Sequence, residues 1–474
     1  MRFEPRGSDR DVRNLEWLAT LFVAGSRLII LLVVLMIDTL GSPWLAYAVL
    51  LILTVASRLR CGSWFAPAAF VGMVWSFFVG ASLCIVDYPI PGRGLWMLVM
   101  LIVAMQLGAL IAHELQPQSS AAATGSDWSN FLDSLILPCR RYALLSGAIA
   151  LAGCVYLLFS SLDEFGLPFT PLGVLEVGAK WTLLRYDDVF EPWSVRLLVT
   201  WFHPAALLGG VLFACSHKRF DRAIAVLTLL PAVLYGVFIG ARSAILLGLT
   251  CWIGGFVATL CIQHHGRLAL FTARRLLVLL LSAACLLGMF ASINAVRDSS
   301  WQQDFVPQAA ETQLENYMFG SPAAFADWYA HSEVSGAEWG AQTFANAFDV
   351  LHLKSRIVGR YTGMSNVVGT ERTNVYSLFR GLIEDFTAGG AALIAACIGG
   401  GAGWVYGRTS EKPRAALLWL SAFYAAMLYS PLVSLFSFNG ALLAWLVGWL
   451  VFMRKQTGPL LLPQPSLPGQ EALP

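Results

Sequence analysis

Apolar runs of 15 to 23 residues recur twelve times along the chain, separated by segments of which most are short. A helix needs about 20 apolar residues to cross the hydrocarbon core, with roughly 17 to 25 tolerated. The runs are Leu15 to Ile37, Pro43 to Ser57, Trp64 to Val86, Leu95 to Ala112, Tyr142 to Leu158, Val195 to Cys215, Ala223 to Ile239, Ala244 to Ile262, Leu276 to Ile293, Phe386 to Tyr406, Ala415 to Tyr429 and Leu432 to Met453. The pattern predicts an all-α polytopic membrane protein of about 12 transmembrane helices. Residues 1–293 carry the first nine spans, residues 386–453 the last three, and residues 454–474 form a tail.

Two polar stretches interrupt the series, Ser161 to Ser194 and a much longer one over residues 294–385. A structureless connection of the second length is improbable. Apolar spacing in Pro322 to His331 and again in Gln342 to Ile357 predicts helices, so this stretch reads as a helical cap over the bundle. Within the tenth run Gly399, Gly403 and Gly407 recur every four residues, which suits close packing of one helix on another rather than a phosphate loop.

Composition strengthens the membrane reading: of 474 residues 57% are apolar and 13% charged, against about 25% charged in an ordinary soluble domain. Mean hydropathy is +0.66. With 31 basic and 29 acidic residues the net charge is +2, which offers no concentrated basic face for nucleic acid. The basic residues are instead placed by side. With the N-terminus inside, 19 of the 31 fall in inner segments such as Arg58 and Arg60, Lys218 to Arg222, and Arg408 to Arg414, as expected of cytoplasmic loops. The first run is too long for a signal-peptide core. A bacterial inner membrane with both termini cytoplasmic is the expected location, and both long loops then face outward. The nine cysteines lie in or beside apolar runs with no C-x-x-C pair, which reads as buried small hydrophobes.

Chemistry-bearing residues gather on the outer side. The short turn Gly240-Ala241-Arg242-Ser243 sets an arginine there against the charge trend, where a snorkelling anchor is the alternative to a functional role. The first loop holds Lys180 and Arg185 against six acidic residues, and the second holds Arg297, Lys354, Arg356, Arg360, Arg372 and Arg380 against eleven. An anionic ligand would need a few arginines focused in a pocket, and the arginine fork suits phosphate. Arg27, inside the first run, reads as structural. Asp385 adjoins the tenth run, where a carboxylate can favour a helix N-terminus or act as a base. No P-loop, H-E-x-x-H, G-x-S-x-G or metal-ligand spacing occurs, and Asp9-Arg10-Asp11 sits on a tail too short for a nucleotide-binding domain. Neither a metal nor a cofactor is expected, so chemistry here must use an already activated substrate.

The stretch Thr373-Asn374-Val375-Tyr376-Ser377-Leu378-Phe379-Arg380-Gly381-Leu382-Ile383-Glu384-Asp385-Phe386, running into a glycine-rich span, resembles the end of the large periplasmic loop in bacterial oligosaccharide repeat-unit polymerases of the Wzy type. Gly240 to Ala244, Tyr317 to Pro322 and Gly340 to Phe344 resemble the same family, in the same order. The resemblance covers the region from the seventh span to the tenth, less than half of the chain. It implies an inner-membrane glycosyltransferase, independent of metal, that moves a growing glycan from undecaprenyl pyrophosphate onto an incoming lipid-linked repeat unit for O-antigen, capsule or exopolysaccharide. A chain-length regulator and a flippase are the implied partners. It further implies that arginines of the two outer loops take part, namely Arg185 in the first and Arg356, Arg360, Arg372 and Arg380 in the second; Arg242 and Arg380, then Arg372 and Arg297, are the candidates to steady the leaving pyrophosphate. Glu384 and Asp385 are then candidate bases, with His331 or His352 further off. Asn374, Tyr376 and the aromatic set Trp328, Tyr329 and Trp339 are candidate sugar contacts. An O-antigen ligase, which shares the donor, is the first alternative, and a transporter or lipid-linked-oligosaccharide flippase the second.

Overall fold

The computed structural model describes residues 41–86, 89–116, 125–186, 189, 191–263, 319–331, 338–354, 365–368, 371–373 and 377–454. Ten of the twelve predicted spans fall on these residues and each contains helix, but the eleventh is a helix of 17 residues and the twelfth, expected from Leu432, one of 14 that starts only at Asn439 after a turn, while Leu15 to Ile37, with Arg27, and Leu276 to Ile293 lie outside the described residues. In chain order the helices are α1 (Pro43–Cys61), α2 (Pro67–Ile85), α3 (Gly92–Glu114), α4 (Gly125–Glu164), α5 (Pro171–Tyr186), α6 (Trp193–Val199), α7 (Phe202–Cys215), α8 (Arg219–Leu227), α9 (Leu230–Phe238), α10 (Arg242–Gln263), α11 (Ser321–His331), α12 (Ala345–Val350), α13 (Leu378–Gly407), α14 (Pro413–Tyr429) and α15 (Asn439–Phe452). A 3-10 turn, Leu435–Ser437, precedes α15, and one two-stranded antiparallel hairpin, β1 (Ser365–Val368) with β2 (Glu371–Thr373), precedes α13. Eight helical stretches among the described residues are long and apolar enough to cross a membrane, so the chain is an all-α polytopic membrane protein in its main body.

Several boundaries differ from those expected. The sixth and seventh spans are each two helices, α6 with α7 and α8 with α9. Proline explains both breaks, because Pro204 and Pro231 cannot donate the amide bonds that would continue the preceding helix. The stretch Ser161 to Ser194, read as a loop, contains the whole of α5, whose Trp181 and Val177 pack against Leu157 and Leu162 of α4 and Phe238 of α9. Trp181 Nε1 also donates to Ser161 Oγ at 2.8 Å. In the long polar stretch α11 matches the expected helix, but the second one covers only Ala345–Val350 rather than Gln342 to Ile357. The tenth span begins where expected, at a break at Thr387, and a further helical piece from Leu378 precedes it, held by the Leu378 N–H on the Ser430 carbonyl (2.8 Å) and by Phe379 on Trp75.

The glycine repeat does close on another helix. A Cβ at Gly399 would stand 1.9 Å from the Met105 carbonyl oxygen and one at Gly403 2.1 Å from that of Ala109, both on α3. Only hydrogen fits there, so the α3 and α13 backbones meet directly. Elsewhere α10 packs antiparallel on α14, with Gly254 against the Ser421 carbonyl, so Arg242 and Ser430 lie at the same end of the bundle. The opposite end is basic: Arg60 forms a fork with Glu114 (2.7 and 2.9 Å), Arg140 pairs with buried Asp221 (3.3 Å), and Arg414 donates to the Arg454 carbonyl (2.9 Å). The α11, α12 and 3-10 turn segments belong to the first end, called here the cap end; Gly94, at the start of α3, abuts the Ala326 backbone of α11.

One residue interrupts α13. Thr387 has φ 62° and ψ 172°, a backbone conformation that L side chains rarely adopt, and it divides the helix into a short cap-end piece and a long membrane piece. Such a residue costs about 1–3 kcal/mol and persists only where its surroundings impose it. Overpacking the glycine seam is the sharper test of this fold. Gly403→Leu should destabilise by about 1–3 kcal/mol or more, read as a lower thermal midpoint in detergent, whereas Gly401→Leu, where nothing lies within 4 Å of the added carbon, should leave the midpoint unchanged.

Candidate functional site

The first two turns of α13 carry Arg380, Glu384 and Asp385, and the helical spacing brings the first two onto one face. Arg380 Nε donates to Glu384 Oε1 at 2.8 Å, with the two side chains 5% and 20% exposed. The guanidinium also lies over the Trp328 ring, 4.8 Å from its centre. Trp328 is buried on α11, itself fixed by the contact of Ala326 with Gly94 and by packing of Phe325 on Trp328 and Tyr329. The indole face is therefore a shelf for Arg380 and not an open sugar platform. A cation–π contact of this desolvated kind is worth about 2 kcal/mol.

Asp385 works differently. Its Oδ1 accepts the Gln342 N–H (2.8 Å), and its Oδ2 accepts both the Thr343 N–H (2.8 Å) and the Thr343 hydroxyl (2.6 Å). The backbone carbonyls of Glu384 and Asp385 accept the N–H groups of Glu338 and Trp339, each at 3.1 Å. Those carbonyls point to the cap because the break at Thr387 removes the following helical amides that would have bonded them. The carboxylate of Asp385 is thus engaged by Gln342 and Thr343 rather than by the first amides of the membrane piece that follows Thr387. It anchors a separate segment, residues 338–344.

That segment is held from a second side. Ser437 Oγ lies 3.2 Å from the Gln342 carbonyl and 3.3 Å from that of Thr343, and Phe344 packs on Phe436. Gln342 Nε2 donates to Glu338 Oε2, and Lys354 Nζ pairs with Glu338 Oε1 at 2.8 Å. Trp339 and Gly340 both have positive φ, 50° and 95°. Lys354 thus pairs with Glu338 and Arg380 with Glu384, while the Asp385 carboxylate takes uncharged donors.

Arg242 is the first residue of α10 and only 8% exposed, so it is buried in protein rather than snorkelling to the bilayer surface. The turn before it is fixed by Gly240, whose φ of 61° and whose contact with Thr182 of α5 exclude a side chain. His331 ends α11 with 70% of its side chain exposed, its Nδ1 near the Asp327 carbonyl (2.9 Å) and carboxylate (3.2 Å). Trp339 is 77% exposed and is the open aromatic of the predicted set. Arg372 stands on β2 opposite Asn366, and Arg185 is the next-to-last residue of α5. Arg297, Arg356, Arg360, Asn374 and Tyr376 lie outside the described residues. Among the predicted set the structure joins Arg380, Glu384 and Asp385. It adds Glu338, Lys354 and Ser437, which no local sequence pattern marks, and gives Thr343 a task that its motif alone did not show.

Comparison with known protein families, curated proteins and solved structures finds no match to this chain.

Truncating Asp385 leaves two amides and a hydroxyl without their acceptor, at about 1–3 kcal/mol for each buried group so orphaned. Asp385→Ala should therefore speed hydrogen exchange at the amides of 342 and 343 and open residues 338–354 to protease. Thr343→Val, which removes one of three donors, should show a smaller effect in the same assay.

Proposed function

We propose that the chain polymerises undecaprenyl-pyrophosphate-linked oligosaccharide repeat units in a bacterial inner membrane, as a metal-independent glycosyltransferase of surface-polysaccharide assembly. The observation that carries the reading is the buried Arg380–Glu384 pair over Trp328, at the cap end of a membrane bundle and within the 373–386 stretch that resembles the polymerases. In orientation, the basic end is then cytoplasmic and the cap periplasmic.

The chemistry balances without a further reactant. The acceptor hydroxyl oxygen bonds to the anomeric carbon of the growing glycan, the bond from that carbon to the pyrophosphate oxygen breaks, and the lipid pyrophosphate departs with both electrons. The hydroxyl proton passes to Glu384, which is one-fifth exposed, while Asp385 positions the 338–344 segment through its three accepted hydrogen bonds. Arg380 and Arg242 stabilise the charge that develops on the leaving group, where loss of one well-placed donor typically costs about 10² to 10³ in rate. The remaining loop arginines, Arg185, Arg297, Arg356, Arg360 and Arg372, and the polar side chains Asn374 and Tyr376 serve substrate binding in this reading. A chain-length regulator and a flippase of the same pathway are its partners.

A ligase is the second reading, favoured by the exposed His331 beside Asp327 at the cap. Mass spectrometry of undecaprenyl-linked glycans in a deletion strain separates the two. Single repeat units exposed to the periplasm are expected. Long lipid-linked polymer would point to ligation, and single units held on the cytoplasmic face would point to transport and overturn the catalytic reading. In the complemented strain Arg242→Ala and Arg380→Ala should each cut polymer by about 10²-fold or more at unchanged membrane levels; normal chain length in either variant removes that arginine from the site.

A further inference from the structure

Residues 339–354 carry large apolar side chains on the outside of the protein. Val350, Leu351 and Leu353 are 62%, 65% and 66% exposed, next to exposed Trp339 and Phe344 and the half-exposed Lys354. In water such a cluster forfeits hydrophobic free energy in proportion to its area. Two independent features of α13 say where it stands relative to the bilayer.

The first is length. Counting from Arg408, at the basic end, about 20 helical residues at about 1.5 Å each span about 30 Å of hydrocarbon, which reaches Thr387. The second is a change of surroundings at the same residue. From Leu378 to Ile383, and at Asp385, α13 is buried on every side, whereas from Thr387 onward it shows an exposed stripe through Gly389, Leu393, Cys397, Gly401 and Trp404. The hydrocarbon edge on the cap side thus falls at the break, and the carbonyls of Glu384 and Asp385, within three residues of it, hold Glu338 and Trp339 at that depth.

We infer that residues 339–354 form an interfacial segment seated on the phospholipid headgroups at the cap end, with Val350, Leu351 and Leu353 turned into the acyl boundary. Tryptophan, aliphatic and lysine side chains together are the composition such a seat takes. Lys354, paired with Glu338, remains at headgroup level. The inference does not depend on the reaction proposed above. The occupant of this surface is bilayer lipid, because the carbonyls beside the break hold the segment at the depth where the exposed stripe of α13 begins.

The test places the photocrosslinking residue p-benzoylphenylalanine singly at Leu351 or Leu353 in the full chain. The protein is held in nanodiscs of phosphatidylethanolamine and phosphatidylglycerol, with Leu393 as the mid-span reference. Lipid adducts at 351 and 353 are expected at yields within a few-fold of those at 393. Adducts to a second copy of the chain would overturn the inference in favour of self-association. Yields at the level of the unirradiated sample, with 393 still labelled, would mean that the segment faces water and would overturn it outright.

Discussion

A helix that is broken near the edge of a membrane must find partners for the carbonyls it releases, because little water is there to take them. At Thr387 those partners come from residues 338 and 339, and the Asp385 side chain adds Gln342 and Thr343 from the same segment. The rest of the cap end follows from this requirement. Once the segment is drawn onto α13, Glu338 reaches Lys354, Ser437 meets the carbonyls of 342 and 343, and the turn ahead of α15 is tied in. The positive-φ backbone at Thr387 and Trp339 is the strain that this joint imposes, while Gly340 takes the same region without it.

The spans and the glycine seam were legible because both are periodic features, each readable within about 20 residues of chain. The twofold composition of the sixth and seventh spans was not, although Pro204 and Pro231 stood in the sequence as the signal. Helix α5 was read as loop because Gly173, Gly178 and Lys180 dilute its apolar pattern, while its burial comes from α4 and α9. In the site, Arg380, Glu384 and Asp385 were found from one short stretch. Their actual tasks depend on residues 42 and 43 positions away for Asp385 and on a different helix for Arg380, and no local spacing encodes such pairings.

Arg380 is oriented by Glu384 and by an aromatic face, so its fork is set in place before any ligand arrives. Such preorganisation lowers the cost of binding a group whose charge appears only during reaction. Arg242, a buried arginine at a helix start on the same end of the bundle, adds its charge to the positive pole of α10. The acidic surplus nearby limits the binding of unrelated anions, since Glu338, Glu384 and Asp385 repel any that lack further contacts.

The seam between α3 and α13 has one more consequence. Because carbonyls of α3 sit against bare glycines of α13, these two helices cannot slide past each other without a backbone collision. The start of α3 is in turn locked to α11 at Gly94 and Ala326. Trp328 and Arg380 therefore ride on one stiff frame, and the spacing between them is fixed by main chain rather than by loop conformation. Movement that admits a bulky ligand while leaving this frame intact falls to α5, α6 and the adjoining ends of α4 and α9, whose separate core surrounds Trp181. The molecule is in this sense a vice with one fixed jaw.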